Sequence, residues 1–182
     1  MGQPRRLRTK FSKPNHPWQK DRIAEEKKVR KEYGFKNKKE IWKMNSILGK
    51  FKAQSKKLIA MNSKQAEKEK VQLLKKIEEL GLLKSNSKIE DVLSISLKDV
   101  LERRLETLVY KKAYAKTMKQ ARQFISHEHI SIGEKTITAP SYLVKVSEES
   151  LIGFNSNSPF IDTEHPTRKV TLEPVVEQQV NN

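Results

Sequence analysis

The side chains able to do chemistry are few in kind. Four histidines (His16, His127, His129 and His165) are the only imidazoles, and there is no cysteine. Without cysteine there are no disulfides, no thiolate metal sites and no sulfur nucleophile. His127-Glu128-His129 invites a metal reading, because residues i and i+2 of a strand share a face. A tetrahedral site needs three or four ligands, however, and no further cluster in the sequence supplies them. A histidine pair that is structural or touches RNA is the better reading. The carboxylate pairs Glu25/Glu26, Glu78/Glu79 and Glu148/Glu149 lie in charged runs and read as solvated helix charges. No glycine-rich phosphate loop, nucleophile elbow or His-Glu-x-x-His pattern occurs. The expectation is a protein that is not an enzyme, with no cofactor, no metal and no small-molecule substrate.

What remains is cation chemistry. The 182 residues carry 38 Lys and Arg against 22 Asp and Glu, a net charge of +16. The excess is uneven. Residues 1–60 hold nineteen cations against five anions, residues 61–100 are close to neutral, residues 101–147 hold nine against four, and residues 148–182 are acidic. A surface so loaded repels itself unless a polyanion neutralises it. Arg5, Arg6, Arg8, Lys10 and Lys13, interleaved with Phe11 and Trp18, suit phosphate contacts combined with stacking. Lys38, Lys39, Lys50 and Lys52 add to the same sequence-independent attraction. Arg103, Arg104, Lys111, Lys112, Lys116, Lys119 and Arg122 gather on two successive short helices that can present a patch to a structured RNA backbone. Aromatics, at 7%, are too few for a stacking sheet. Paired short helices also occur in DNA-binding proteins, so charge alone leaves double-stranded DNA open.

These residues need elements to hold them. Prolines 4, 14 and 17 deny residues 1–17 a regular helix and make them an extended arm. A weakly packing helix is expected over Asp21–Tyr33, stopped by Gly34. A stronger one runs from Asn37 to about Met61, with Ile41, Met44, Ile47, Leu48, Phe51, Leu58 and Ile59 on its apolar stripe. Gln65–Leu80 is amphipathic, with Gly81 behind it. Ile89–Leu93 reads as a helical turn after a loop at 84–87. Ser96-Leu97-Lys98-Asp99 and Thr117-Met118-Lys119-Gln120 resemble capping boxes. The first opens a helix whose Arg104, Thr107 and Lys111 share a flank. The second opens one with Met118, Ala121, Phe124 and Ile125 inward. The period then becomes two: strands are expected over 129–133, 136–138 and 142–144.

The fold class is therefore α+β and mostly helical. Residues 1–96 are expected to form the basic extended arm and a helical RNA-binding region, 97–146 two helices with a small sheet, and 147–182 an irregular acidic tail. No run of about 18 apolar residues is present, so no membrane span is expected. The basic start with no apolar stretch behind it does not read as a secretory signal. The expected location is cytoplasmic.

One stretch resembles a known family: Leu101-Glu-Arg-Arg-Leu-Glu-Thr-Leu-Val-Tyr-Lys-Lys112, Ala115 to His127, His129-Ile130 and Pro140-Ser-Tyr-Leu-Val144. It is similar to the RNA-binding domain family named after ribosomal protein four of the small subunit. Pro4–Arg8, His16-Pro17-Trp18, Lys38–Trp42, Ile89–Ser94, Asn157-Ser158-Pro159 and His165-Pro166 resemble the archaeal and eukaryotic branch. The resemblance implies an αα-turn and curved sheet that grips folded small-subunit rRNA at a helix junction. It also implies a role in nucleating subunit assembly, a place beside ribosomal protein five and an influence on translational accuracy. RNA contacts implied by it are Arg103, Arg104, Tyr110, Lys111, Lys116, Lys119, Arg122, Gln123, His127 and His129. An rRNA-processing factor built on the same domain is the alternative. The family usually has glycine where Glu128 stands, and often where Ala113 or Tyr114 stands; glycine there commonly serves a positive φ.

Overall fold

The computed structural model describes Thr9, residues 11–61, 63–84 and 87–162, and His165. The chain divides after Glu102 into two compact units.

The first unit is helical. It contains α1 (Lys20–Glu32), α2 (Lys38–Ile59), α3 (Lys64–Glu79), a 3-10 turn at Ile89–Leu93 and α4 (Leu97–Glu102). Gly34 and Gly81 stop α1 and α3 with φ of 64° and 66°. The carbonyls of Arg30 and Ile77 are then taken up by the amides of Phe35 and Leu82, the arrangement glycine makes accessible at a helix end. The predicted α2 stripe is the core: Ile41, Met44, Leu48, Phe51 and Leu58 are buried against Leu73, Ile77, Val92 and Leu101. Ile59 ends outside it, at 37% exposure. Ser55, near the C-terminal end of α2, is fully buried, and its hydroxyl is satisfied by donating to the carbonyl of Ile89 at 2.7 Å. The predicted loop at 84–87 falls partly outside the described residues.

The described arm is not helical, as its prolines require, and it is docked. Phe11 packs on Trp42 with centroids 6.2 Å apart, and the amide of Ser12 donates to Ser46 Oγ at 3.1 Å. Arg22 donates to the carbonyls of His16 and Pro17 at 3.0 and 2.8 Å. Buried Glu26 holds Arg22, accepts from Trp42 Nε1 at 2.9 Å and lies 3.5 Å from Lys38. Burial raises its carboxyl pKa, but the Trp42 and Arg22 hydrogen bonds and the charges of Arg22 and Lys38 outweigh that and hold it below the ordinary value.

The second unit contains α5 (Leu105–Lys111), α6 (Met118–Ser126), β1 (Ile130–Ile132), β2 (Lys135–Thr136), α7 (Val146–Glu149) and β3 (Ile152–Phe154), then a 3-10 turn at Pro159–Ile161. The sheet order is β2-β1-β3, antiparallel throughout. Leu105, Val109, Ala121, Ile125, Ile130, Val144 and Ile152 form its core.

Three expectations are corrected. The helix opening at Ser96 does not run through to Lys111. Arg104 is extended (φ −73°, ψ 143°) and bridges Leu143, with Leu105 N bonded to Tyr142 O and Val144 N to Arg103 O. Tyr142–Val144 is consequently not a strand of the sheet, because its backbone groups are spent on that break. The third strand comes instead from 152–154, within the region expected to be an irregular tail. Phe154 and Phe160 pack on the core, so folded structure continues past residue 146. Residues 166–182 lie outside the described residues.

Candidate nucleic-acid interface

Residues Thr117 to His129 build the outer face of the second unit. Thr117 Oγ1 accepts from Gln120 N at 3.2 Å, and Gln120 Oε1 accepts from Lys116 N at 2.9 Å. The expected reciprocal cap forms with its return bond one residue early. It sets α6 so that Ala121, Phe124 and Ile125 are buried, while Lys119, Gln123, Ser126 and His127 are exposed. Lys119, Gln123 and Ser126 stand at i, i+4 and i+7, one stripe of an α-helix. Tyr110, Lys111 and Lys116 are exposed at the end of α5 and in the connection to α6. Among the described residues no carboxylate lies in ion-pair range of Lys116 or Lys119.

Arg104 does not belong to this face. It is 1% exposed, and its Nη2 donates to Glu106 Oε2 at 3.2 Å, Glu106 being equally buried. Extended backbone at the helix break turns the guanidinium inward, where a charge requires a partner. Arg122, 27% exposed, lies 3.8 Å from the same oxygen. Arg122 therefore stands at the edge of the stripe. Arg103 is likewise held inside the unit, donating to Glu149 at 2.7 Å and to the carbonyl of Val144 at 3.1 Å. Lys112 donates to the carbonyl of Glu149. The predicted flank of Arg104, Thr107 and Lys111 does not exist as a surface, since Thr107 is buried as well.

The two histidines divide. His127 is exposed. His129 turns its ring edge to Phe160, 4.7 Å between centroids, and its Nδ1 is 3.1 Å from Ser158 Oγ. Desolvation, with a smaller push from His127, lowers its pKa. His129 thus secures the 155–160 segment, whose Asn155 amide donates to its carbonyl at 2.8 Å, and this is the structural role that sequence left open for it. Between them Glu128 adopts φ 65°, and Ala113, between the two helices, φ 58°. These are positions where glycine was expected from the resemblance.

In the first unit Lys13, Lys39 and Lys50 are exposed and Lys52 is half-buried, while Lys38 is directed to Glu26. Arg5, Arg6, Arg8 and Lys10 lie outside the described residues. Glu106 was not singled out from the sequence. Its only signal there is an acid among Leu105, Thr107, Leu108 and Val109, all of them buried.

Two short helices beside a small sheet, with Lys116, Lys119 and Gln123 outward and Arg103 and Arg104 held within, define a compact module with a basic exposed side. Comparison with known proteins makes the class specific. Residues 103–150 match the family model of the S4 domain, and residues 5–102 match that of the Ribosomal protein S4/S9 N-terminal domain. The chain is 50% identical over 169 residues to small ribosomal subunit protein uS4 of Methanococcus aeolicus, covering 92% of this chain and 96% of that one. It is 47% identical over 171 residues to uS4 of Picrophilus torridus (92% and 93% covered) and 45% identical over 160 residues to uS4 of Ignicoccus hospitalis (88% and 96% covered). The chain belongs to the ribosomal protein S4 family. Among the described residues no helix is long and apolar enough to cross a membrane.

Proposed function

We propose that this protein is a structural component of the small ribosomal subunit that binds folded rRNA directly, in the cytoplasm and without a chemical step. The observation that carries the reading is the exposure of Lys111, Lys116, Lys119, Gln123 and His127 on α5, α6 and their connection, in a module of this family. Exposed lysines neutralise phosphates and release counterions, while the amide and imidazole add hydrogen bonds to sugars or unpaired bases. The basic first unit offers exposed cations of its own in Lys13, Lys39 and Lys50. In this role the protein nucleates folding of the rRNA it clamps, and it meets neighbouring small-subunit proteins, protein five among them. Rigid placement of that rRNA is how it supports translational accuracy.

The test is a salt series. A transcript of the 5′ domain of small-subunit rRNA is titrated with the full chain and with the Lys116→Glu/Lys119→Glu variant. The variant is expected to bind at least tenfold more weakly. The slope of log K against log salt should flatten by about 0.9 for each phosphate that is no longer neutralised, in duplex terms. Duplex DNA of equal length should compete poorly. Unaltered affinity and slope in a normally folded variant would remove these lysines from the interface.

A further inference from the structure

Trp18 is 90% exposed, yet its backbone is firmly placed. Pro17 has its own φ fixed and restricts His16 before it, Arg22 clasps the carbonyls of His16 and Pro17, and Arg22 is itself held by Glu26. On the other side the chain enters α1 at Lys20. An indole is thus presented to solvent from a turn pinned at both ends, and among the described residues no ring or cation covers it.

Its surroundings indicate what does. Lys13, His16 and Lys20 are exposed beside it in the chain, and the nearest acid in sequence is Asp21. A cleft of about 260 Å³ is lined by Asn15, His16, Gln19 and Asn45, together with Arg22, Trp42 and the buried Glu26 to which both donate. Trp18 lies in the chain between two of these lining residues. A protein partner would be met by an apolar, charge-depleted patch, and here a single ring stands among amides and cations. Amides donate and accept at once, as the edge of a base requires, and a flat ring accepts the face of any base. Bases inside a duplex do not offer that face; unpaired ones do.

We infer that Trp18 is the stacking platform for one unpaired base of the bound RNA, with Lys13 and Lys20 neutralising the flanking phosphates and the amide-lined cleft meeting the base edge. This rests on the RNA-binding reading above. The full chain carrying Trp42→Phe leaves Trp18 as its only tryptophan. Titrated with the 5′-domain transcript, its emission is expected to fall by at least half, with the midpoint of the binding curve. In the otherwise unaltered chain, Trp18→Ala should weaken binding about tenfold, the scale of one base–aromatic stack. Its salt slope should stay the same, and Trp18→Phe should recover most of the affinity. At 90% exposure neither substitution disturbs the core, so these two variants decide the matter even if Trp42→Phe folds poorly. Wild-type affinity in Trp18→Ala, or undiminished emission at saturation, overturns the inference. Wild-type RNA affinity with poorer retention in assembled subunits would do so too, by assigning the ring to a protein neighbour. If the unaltered chain does not bind the transcript, it is the underlying reading that fails.

Discussion

Glu128 and Ala113 have left-handed backbones, at φ 65° and 58°, where a Cβ crowds the following carbonyl and costs about 1–2 kcal/mol. Part of that is returned by the smaller entropy of a non-glycine residue in the unfolded chain. Glu128→Gly should therefore stabilise the protein by about 0.5–1 kcal/mol, read as a higher denaturant midpoint at constant m-value. It should also tighten RNA binding, because a carboxylate next to the exposed His127 opposes phosphate; Glu128→Gln should give the tighter binding without the stability. Arg104 and Glu106 make the opposite kind of prediction. Arg104→Ala leaves Glu106 buried with less compensation, and breaking a buried pair costs about 3–5 kcal/mol. Arg104→Met with Glu106→Leu should recover much of that. Denaturation midpoints of the three proteins measure it, and a fully folded Arg104→Ala protein with weakened RNA binding would return Arg104 to the interface.

Helices that announce their ends were legible. Gly34 and Gly81 stop α1 and α3 at positions that adopt the left-handed region glycine favours. Ser96 and Asp99 exchange bonds as their spacing implied. The break at Arg104 was not legible. Leu97, Leu101, Leu105 and Leu108 keep helical spacing straight across it, and the cause is a bridge to Leu143, a residue distant in sequence. The same bridge removed 142–144 from the sheet. Nor does any local signal mark β3, whose Ile-Gly-Phe is short and contains glycine; its pairing with β1 creates it. The candidate site was legible where a cap fixed the helix phase, as on α6, and not where a long-range contact set it, as at Arg103 and Arg104. Thr117→Ala tests the first half of that statement. It deletes the Gln120 N acceptor and should cost about 1 kcal/mol while loosening the Lys119 stripe, so amide exchange in α6 should quicken more than in α5.

At the scale of the whole chain, folding moves two acid-sensitive groups in the same direction, one in each unit. Glu26 lies below the ordinary carboxylate value and His129 below the ordinary histidine value of 6.5. For each, the unfolded chain binds protons more readily, so stability is present in full above the unfolded value and is lost as pH falls through the interval beneath it. The windows differ. Acidification should first weaken the second unit, from about pH 6.5 downward, as His129 gains a proton against Phe124 and Phe160 and adds to a charge already at +16. The first unit should hold until carboxylates titrate and Glu26 releases Arg22 and Trp42. Both tryptophans lie in the first unit, so indole emission follows that unit alone, while amide exchange in α6 and β1 follows the other. Protection of the α6 and β1 amides, corrected for the intrinsic exchange rate, should fall as pH drops below the ordinary histidine value with emission unchanged, and emission should shift only at lower pH. His129→Gln should abolish the early step and leave the late one, since a neutral amide has nothing to gain from acid. An early step that persists in His129→Gln would show that the second unit's acid sensitivity lies in another group.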